Sequence, residues 1–224
     1  MGAAEFILEE GQYLSISQPI DFEQTIQRSR FIASIRRVQN RSEFDSEMKK
    51  IMQLYPKATH YCWAYRFCDS GIQEHATDAG EPAGTAGRPI LGALKKHSLL
   101  NVMAVVTRYY GGVKLGVKGL IAAYGQTALL GIEQGEIIVC EANSTLRFQC
   151  DYDLYNIFLA RLEREKVDIS KMHVVFTEFI SGEITMPNSL LARLLPFLKN
   201  LSPGRSGFDF SLQPASADHP DTNP

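Results

Sequence analysis

The apolar positions in the first half of the chain predict several strands, followed by a helix, a strand and a helix. Apolar and polar residues alternate over His60–Phe67, which is typical of a strand with one aromatic face. The continuous apolar run Val102–Thr107 predicts a strand that is covered on both faces. Helical spacing over Phe44–Tyr55, with Ser42 as the N-terminal cap, predicts one helix, and Leu120–Ile132 predicts another. The first half is therefore predicted to be an α+β domain.

The second half has a different rhythm, in which strands and helices follow the order βαββαβ. The predicted elements are a strand at Thr145–Cys150, a helix from Asp151 or Asp153, a hairpin of Met172–Phe179 and Gly182–Met186 joined near Ser181-Gly182, a helix capped by Asn188, and a strand at Phe208–Leu212. This order is that of the ferredoxin-like split βαβ unit. We therefore predict domains at residues 1–140 and 141–213. The polar, proline-rich residues 214–224 are predicted to be a disordered tail.

Two glycine-rich loops in the centre of the chain are the strongest local signal. The loops contain Gly80, Gly84 and Gly87 in the first case, and Gly111, Gly112, Gly116 and Gly119 in the second. Each loop runs into a predicted helix. No Asp or Glu occurs between Pro82 and Ile132, whereas six cations do: Arg88, Lys95, Lys96, Arg108, Lys114 and Lys118. Helix N-termini fixed by glycine loops and surrounded by cations favour an anion site.

The candidate site residues follow from this stretch. Charge would come from Arg88, Arg108, Lys114 and Lys118, close backbone approach from Gly84, Gly87, Gly111, Gly112 and Gly116, and a possible base stack from Tyr109. Such a surface could bind the phosphates of RNA. The alternative is that the glycines make tight turns for packing and that the lysines form an ordinary solvated face. Both interpretations remain open from the sequence alone.

Enzymatic interpretations are weaker. The loops miss the P-loop pattern, and the dinucleotide fingerprint is absent, so we assign no cofactor. A phosphate- or nucleotide-dependent small-molecule enzyme that uses the same pocket remains an alternative. His75, Asp78 and Glu81, with His60 nearby, could act as an acid–base or metal cluster. The structural interpretation is favoured, in which Asp78 caps the loop and Glu81 pairs with Arg88 or Arg108, and we assign no catalytic and no metal site.

Composition sets the remaining limits. The net charge of −2 excludes a globally basic nucleic-acid binder but leaves room for a local basic face. Four cysteines show neither a C-x-x-C pair nor zinc-finger spacing. The chain shows no secretory signal and no apolar run that approaches the roughly 18 residues of a membrane span. We therefore expect a cytoplasmic protein with reduced thiols and no membrane partner, whereas the oligomeric state stays open.

The glycine-rich segments resemble the signature of the IMPACT/YigZ family. The matching stretches are DAGEPAGTAGRP at 78–89 and TRYYGGVKLGVKGLIAAYG at 107–125, with upstream support at 29–32 and 60–62. The resemblance covers most of residues 20–213. Family members commonly carry Asp where this chain has Ala79, and Gly where it has Lys118. The first departure weakens any proposal of paired carboxylates, and the second adds a positive charge to the loop.

The resemblance implies a fold and a class of function. The N-terminal domain is expected to be similar to the second domain of ribosomal protein S5, and the smaller C-terminal domain to be ferredoxin-like. The pair is also similar to the two C-terminal domains of the translocation factor EF-G. These likenesses imply a translation-associated regulator that binds RNA or the ribosome, not an enzyme. A protein-interaction module, with a protein partner in translation control, is a further alternative.

Overall fold

The structure is a computed structural model that describes residue 8 and residues 11–68, 71–202 and 207–214. The chain divides into two compact units, Tyr13–Cys140 and a second that combines Met1–Gln12 with Glu141–Pro224. The predicted tail, residues 214–224, lies outside the described residues except for Pro214. The strands of the first unit are β1 Gln12–Ile16, β2 Ile20–Ile26, β3 Ser29–Arg37, β4 His60–Cys68, β5 Ile72–Thr77, β6 Val102–Tyr109 and β7 Ile137–Glu141. Its helices are α1 Arg41–Leu54, α2 Gly87–Lys96 and α3 Gly116–Gln134.

A five-stranded antiparallel sheet in the order β2-β3-β6-β4-β5 organises the first unit. The predicted β6 lies at its centre, between β3 and β4. In this position all of its residues from Val102 to Arg108 are buried, which confirms the expectation of a strand covered on both faces. Strands β1 and β7 form a separate two-stranded sheet.

The two faces of this sheet have different coverings. One face carries small and branched residues, among them Ala33, Cys62 and Ala64, and packs against α2 and α3. The opposite face carries the aromatic side chains of β4 and packs around Phe44 of α1, whose ring lies 4.7 Å from that of Trp63. Because successive strand residues point to opposite faces, the alternation along β4 separates these two cores. The aromatic stripe is therefore core and is not an exposed stacking platform.

The second unit has a ferredoxin-like fold, as predicted. Its elements are β8 Asn143–Cys150, α4 Tyr152–Arg164, a short 3-10 turn at Ile169–Lys171, β9 His173–Phe176, β10 Ile180–Pro187, α5 Asn188–Leu201 and β11 Phe208–Pro214. The sheet order is β11-β8-β10-β9, with every neighbouring pair antiparallel. The apolar face of this sheet packs with α4 and α5 around Phe148, Phe158 and Leu194.

Three local predictions were wrong. Helix α1 is capped by Asn40, whose side chain accepts from the Glu43 N–H, so the helix begins one residue before Ser42. The β9–β10 turn lies at 177–179, and Gly182 is inside β10. A Cβ at Gly182 would lie 2.5 Å from the His173 carbonyl oxygen, so this glycine provides close approach within the sheet and does not form a turn. Helix α5 begins at Asn188 itself, with Pro187 as its cap residue.

We predict that Phe44→Ala destabilises the first unit by about 3–5 kcal/mol, because Phe44 is buried between α1 and the sheet and truncation leaves a cavity. Urea unfolding followed by the fluorescence of Trp63, the only tryptophan, measures this directly. Met52→Ala is the matched control, since Met52 lies on the same helix and is 46% exposed. An equal loss in the free energy of unfolding for the two variants would contradict this packing of α1 against the sheet.

Candidate anion-binding site

The first glycine loop, residues 78–87, is organised by a carboxylate that belongs to the protein itself. Asp78 accepts hydrogen bonds from the backbone N–H groups of Gly84, Ala86 and Gly87, at 2.8, 2.9 and 2.9 Å. The last two of these donors lie at the N-terminus of α2. Because Asp78 already fills this position, the first glycine loop offers an external anion fewer donors than the sequence suggested.

The pKa of Asp78 records the same arrangement. Burial opposes ionisation of its carboxyl group, but the three N–H donors outweigh burial and lower the pKa below the usual range. Gly84, at φ +77°, supplies the left-handed turn that brings its own N–H to the carboxylate. Gly87 packs directly against the backbone of Thr77. A Cβ at this position would lie 2.7 Å from that backbone, so only glycine fits.

A buried network connects the first loop with the end of β6 and with α3. The Glu81 carboxylate accepts hydrogen bonds from Arg108 Nη1 at 2.6 Å and from the Tyr124 hydroxyl at 2.8 Å. The side chains of Glu81 and Arg108 are only 4% and 5% exposed. Arg108 Nη2 also donates to Ser29 Oγ of β3 at 3.3 Å. One ion pair therefore joins a loop, two strands and a helix.

The groups around this network are held in structural contacts. Burial raises the pKa of the Cys62 thiol to about 12, and the thiol donates to the Asp78 carbonyl oxygen. Burial also raises the pKa of the Tyr124 hydroxyl. His60 Nδ1 lies 3.0 Å from the Ala79 carbonyl oxygen, and its Nε2 lies 3.8 Å from Glu81. These raised pKa values favour the protonated forms of Cys62 and Tyr124 at neutral pH.

Only part of the acid–base cluster that the sequence allowed comes together, because His60 Nε2 lies 3.8 Å from Glu81 whereas His75 does not join this pair. His75 lies against the rings of Trp63 and Tyr65, at 5.4 and 6.0 Å, whereas Asp78 and Glu81 are engaged with N–H donors and with Arg108. Among the described residues, no group of three His, Cys, Asp or Glu side chains is placed to hold a metal ion. All four cysteines are free thiols.

The second glycine loop, residues 110–116, follows the end of β6. Gly111 lies against the β2–β3 turn, and a Cβ at this position would lie 1.9 Å from the Arg28 carbonyl oxygen. Its N–H donates to Ser29 Oγ at 3.2 Å. Gly112 and Gly116 adopt φ +83° and +69°, and the space around each is open. Gly111 is therefore required for packing, whereas the next two glycines shape an exposed loop.

The N-terminus of α3 differs from that of α2. No described side chain caps it, and its first turn contains no acidic residue. Lys114 and Lys118 are exposed there and form no ion pair with any described residue. An uncapped helix start with two adjacent cations has the electrostatic character that favours an anion.

The predicted site residues therefore fall into two groups. Exposed ones are Arg88 in the first turn of α2, Lys114 just before α3, Lys118 in the first turn of α3, and the glycines Gly84, Gly112 and Gly116. Arg108 and Gly87 are buried. The charge of Arg108, which was expected to face a ligand, is paired with Glu81 inside the protein. Tyr109 is half-buried, donates its hydroxyl to the Pro56 carbonyl oxygen and lies under the guanidinium of Arg30.

Two contributors were missed by the sequence reasoning. Ser29 anchors both Arg108 and Gly111 through one hydroxyl, and Tyr124 completes the coordination of Glu81. The sequence carried a signal for neither role, because the partners lie 43 to 82 positions away along the chain. No helix in the described part of the chain is both long and apolar enough to cross a membrane.

We predict that Asp78→Asn destabilises the first unit at pH 7 by about 1–2 kcal/mol, because an amide group would face an N–H donor with its own N–H. The folded pKa of Asp78 is lowered, so its stabilisation is present above the ordinary aspartate pKa of about 3.9 and is lost as pH falls through the folded value. The difference in the free energy of unfolding between the wild-type protein and Asp78→Asn should therefore become smaller in acid. Urea unfolding at several pH values tests this, with Asp45→Asn on the exposed face of α1 as the control.

We predict that Glu81→Ala destabilises the first unit by about 3–5 kcal/mol, because it leaves the guanidinium of Arg108 buried without its partner. Glu23→Ala removes the partner of Arg30 at the surface, where both side chains are almost half exposed, and should cost below about 1 kcal/mol. The comparison uses Trp63 fluorescence during urea unfolding. A small loss for Glu81→Ala would show that the network does not hold the loops.

Comparisons with known proteins give a consistent result. A family model described as the Impact N-terminal domain matches residues 27–132. The IMPACT family member YvyE of Bacillus subtilis is 37% identical over 153 residues, which are 68% of this chain and 69% of that protein. An IMPACT family member of Haemophilus influenzae is 35% identical over 193 residues, which are 80% of this chain and 93% of that protein.

A solved crystal structure agrees over almost the whole chain. It belongs to a protein described only as hypothetical, and it superposes with a TM-score of 0.66 at 25% identity, covering 94% of this chain and 100% of that one. Its likeness supports the two-part α+β architecture. The matched relatives and the family model show that this chain belongs to the IMPACT family.

Proposed function

We propose that this protein is a cytoplasmic, translation-associated regulator that binds RNA or the ribosome through the basic surface at the start of α3. The observation that carries the proposal is the contrast between the two helix starts. At α2 an internal carboxylate, Asp78, occupies the N–H donors, whereas at α3 the donors have no described side-chain cap and Lys114 and Lys118 lie beside them.

The chemistry of this surface suits a phosphodiester backbone. Lys114 and Lys118 can neutralise phosphates as point charges, and the exposed loop around Gly112 and Gly116 allows close approach. Arg88, exposed in the first turn of α2, adds a third cation. Arg108 has a different role in this proposal. It does not contact the ligand, and its ion pair with Glu81 holds the first glycine loop against the end of β6. The link to translation rests on the family resemblance.

We predict that Lys114→Glu combined with Lys118→Glu weakens binding of ribosomes and of single-stranded RNA at least tenfold at low salt. The slope of the logarithm of the affinity against the logarithm of the salt concentration should become shallower by about 0.7 for every phosphate of single-stranded RNA that a lysine no longer neutralises. Ribosome co-sedimentation and the anisotropy of a fluorescent RNA 20-mer, each over a salt series, measure these quantities.

The matched control is Lys49→Glu combined with Lys50→Glu, which makes the same change in net charge on α1. Equal losses in the two double variants would indicate a general charge effect and would contradict a localised surface. Unchanged affinity in the first double variant would refute the proposal. Turnover of a nucleoside triphosphate that Arg88→Ala abolishes would instead support the small-molecule enzyme, and protein capture that survives in the double variant would support an interaction module.

A further inference from the structure

Two cationic residues near the second glycine loop adopt a backbone conformation that side chains disfavour. Arg28 has φ +65° and Lys57 has φ +60°. Both are exposed, and neither forms an ion pair with any residue that the structure describes. Residues with a β carbon are uncommon in the left-handed region, where glycine and asparagine are preferred.

Arg28 occupies the second position of a two-residue hairpin turn. Strands β2 and β3 pair up to Ile26 and Ser29, which leaves Gln27 and Arg28 as the whole connection, both with positive φ. Turns of this kind strongly favour Asn-Gly, because both central residues must be left-handed. The chain has Arg at the position where glycine would be expected.

The segments that carry these two residues contact the second glycine loop or the end of β6 just before it. The Arg28 carbonyl oxygen is the atom that leaves no room for a Cβ at Gly111. Lys57 directly follows Pro56, whose carbonyl oxygen accepts the Tyr109 hydroxyl at 3.1 Å. Thr59 continues this contact, since its N–H donates to the Arg108 carbonyl oxygen and its hydroxyl accepts from the Tyr110 N–H. Lys114 lies only three residues beyond Gly111, a span of at most about 11 Å.

Arg30, two residues after Arg28, is an example of a cation whose charge is neutralised by an ion pair. Arg30 donates from Nε and Nη2 to both carboxylate oxygens of Glu23, at 2.6 and 2.7 Å, and lies over the ring of Tyr109. Arg28 and Lys57 have no such partner among the described residues. Their charges are therefore available to an external anion, whereas that of Arg30 is neutralised.

We propose that Arg28 and Lys57 contact the phosphodiester backbone of RNA and extend the surface formed by Lys114 and Lys118. This inference rests on the proposed function. These cations come from separate parts of the chain, namely the β2–β3 turn, the α1–β4 connection, the second glycine loop and the first turn of α3. An RNA strand carries many phosphates and so can offer a separate one to each of these segments.

We predict that Arg28→Gly and Lys57→Gly each weaken binding of the fluorescent RNA 20-mer several-fold and reduce the salt slope by about 0.7. The same variants should unfold at an equal or higher urea concentration, since glycine accepts positive φ without strain. Weaker binding at undiminished stability separates a contact with the ligand from a structural role. Arg28→Lys should retain most of the affinity.

The control is Lys166→Gly. Lys166 is also an exposed lysine with φ +59°, but it follows α4 in the ferredoxin-like unit. This variant should gain stability in the same way and leave RNA affinity unchanged. If Arg28→Gly folds poorly, Arg28→Asn removes the same charge with a residue that tolerates the left-handed region.

The outcomes distinguish this inference from the proposed function. If the Lys114/Lys118 double variant loses binding while the Arg28 and Lys57 variants keep wild-type affinity, the extended surface is refuted and the proposed function stands. If wild-type protein binds neither RNA nor ribosomes, both fail together. A drop in affinity for Lys166→Gly equal to that for Lys57→Gly would also overturn the inference.

Discussion

The buried ion pair between Glu81 and Arg108 is the contact on which the arrangement of the two glycine loops depends. Its members come from the first loop and from the end of β6, and Tyr124 adds α3 to the same carboxylate. A charged pair with so little exposure stabilises only while both members are present, because either one alone would be a buried uncompensated charge. The pair therefore fixes the first loop to the strand from which the second loop emerges.

The network also explains why the two loops differ chemically. Two carboxylates of the first loop are bound to positive groups of the protein. Asp78 accepts hydrogen bonds from backbone N–H groups, and Glu81 forms an ion pair with Arg108. In the second loop and the first turn of α3, the exposed Lys114 and Lys118 form no ion pair with any described residue, and no described side chain caps the helix. A similar glycine-rich sequence thus produces one loop that is internally neutralised and one that offers positive charge to solvent.

Much of the fold could be predicted from local patterns. The alternation along β4, the continuous apolar run of β6 and the patterns of the βαββαβ elements each depend on residues that are close together in the sequence. Strand β2 has no counterpart among the predicted elements, although Ile20, Phe22 and Ile26 alternate with polar residues. The role of Gly182 was also mistaken, because a glycine that allows close approach of strands has the same local sequence as a turn glycine.

The sequence by itself determined which residues could carry charge, where the glycine loops lie, and that the chain resembles one family. Only the tertiary structure decided which of the cations are available, because availability depends on partners far away in the chain. Arg108 is neutralised by a residue 27 positions earlier, whereas Arg28 is brought against Gly111, 83 positions later, without a described ion-pair partner. Charge is a property of a side chain, but exposure and pairing are properties of the packed fold.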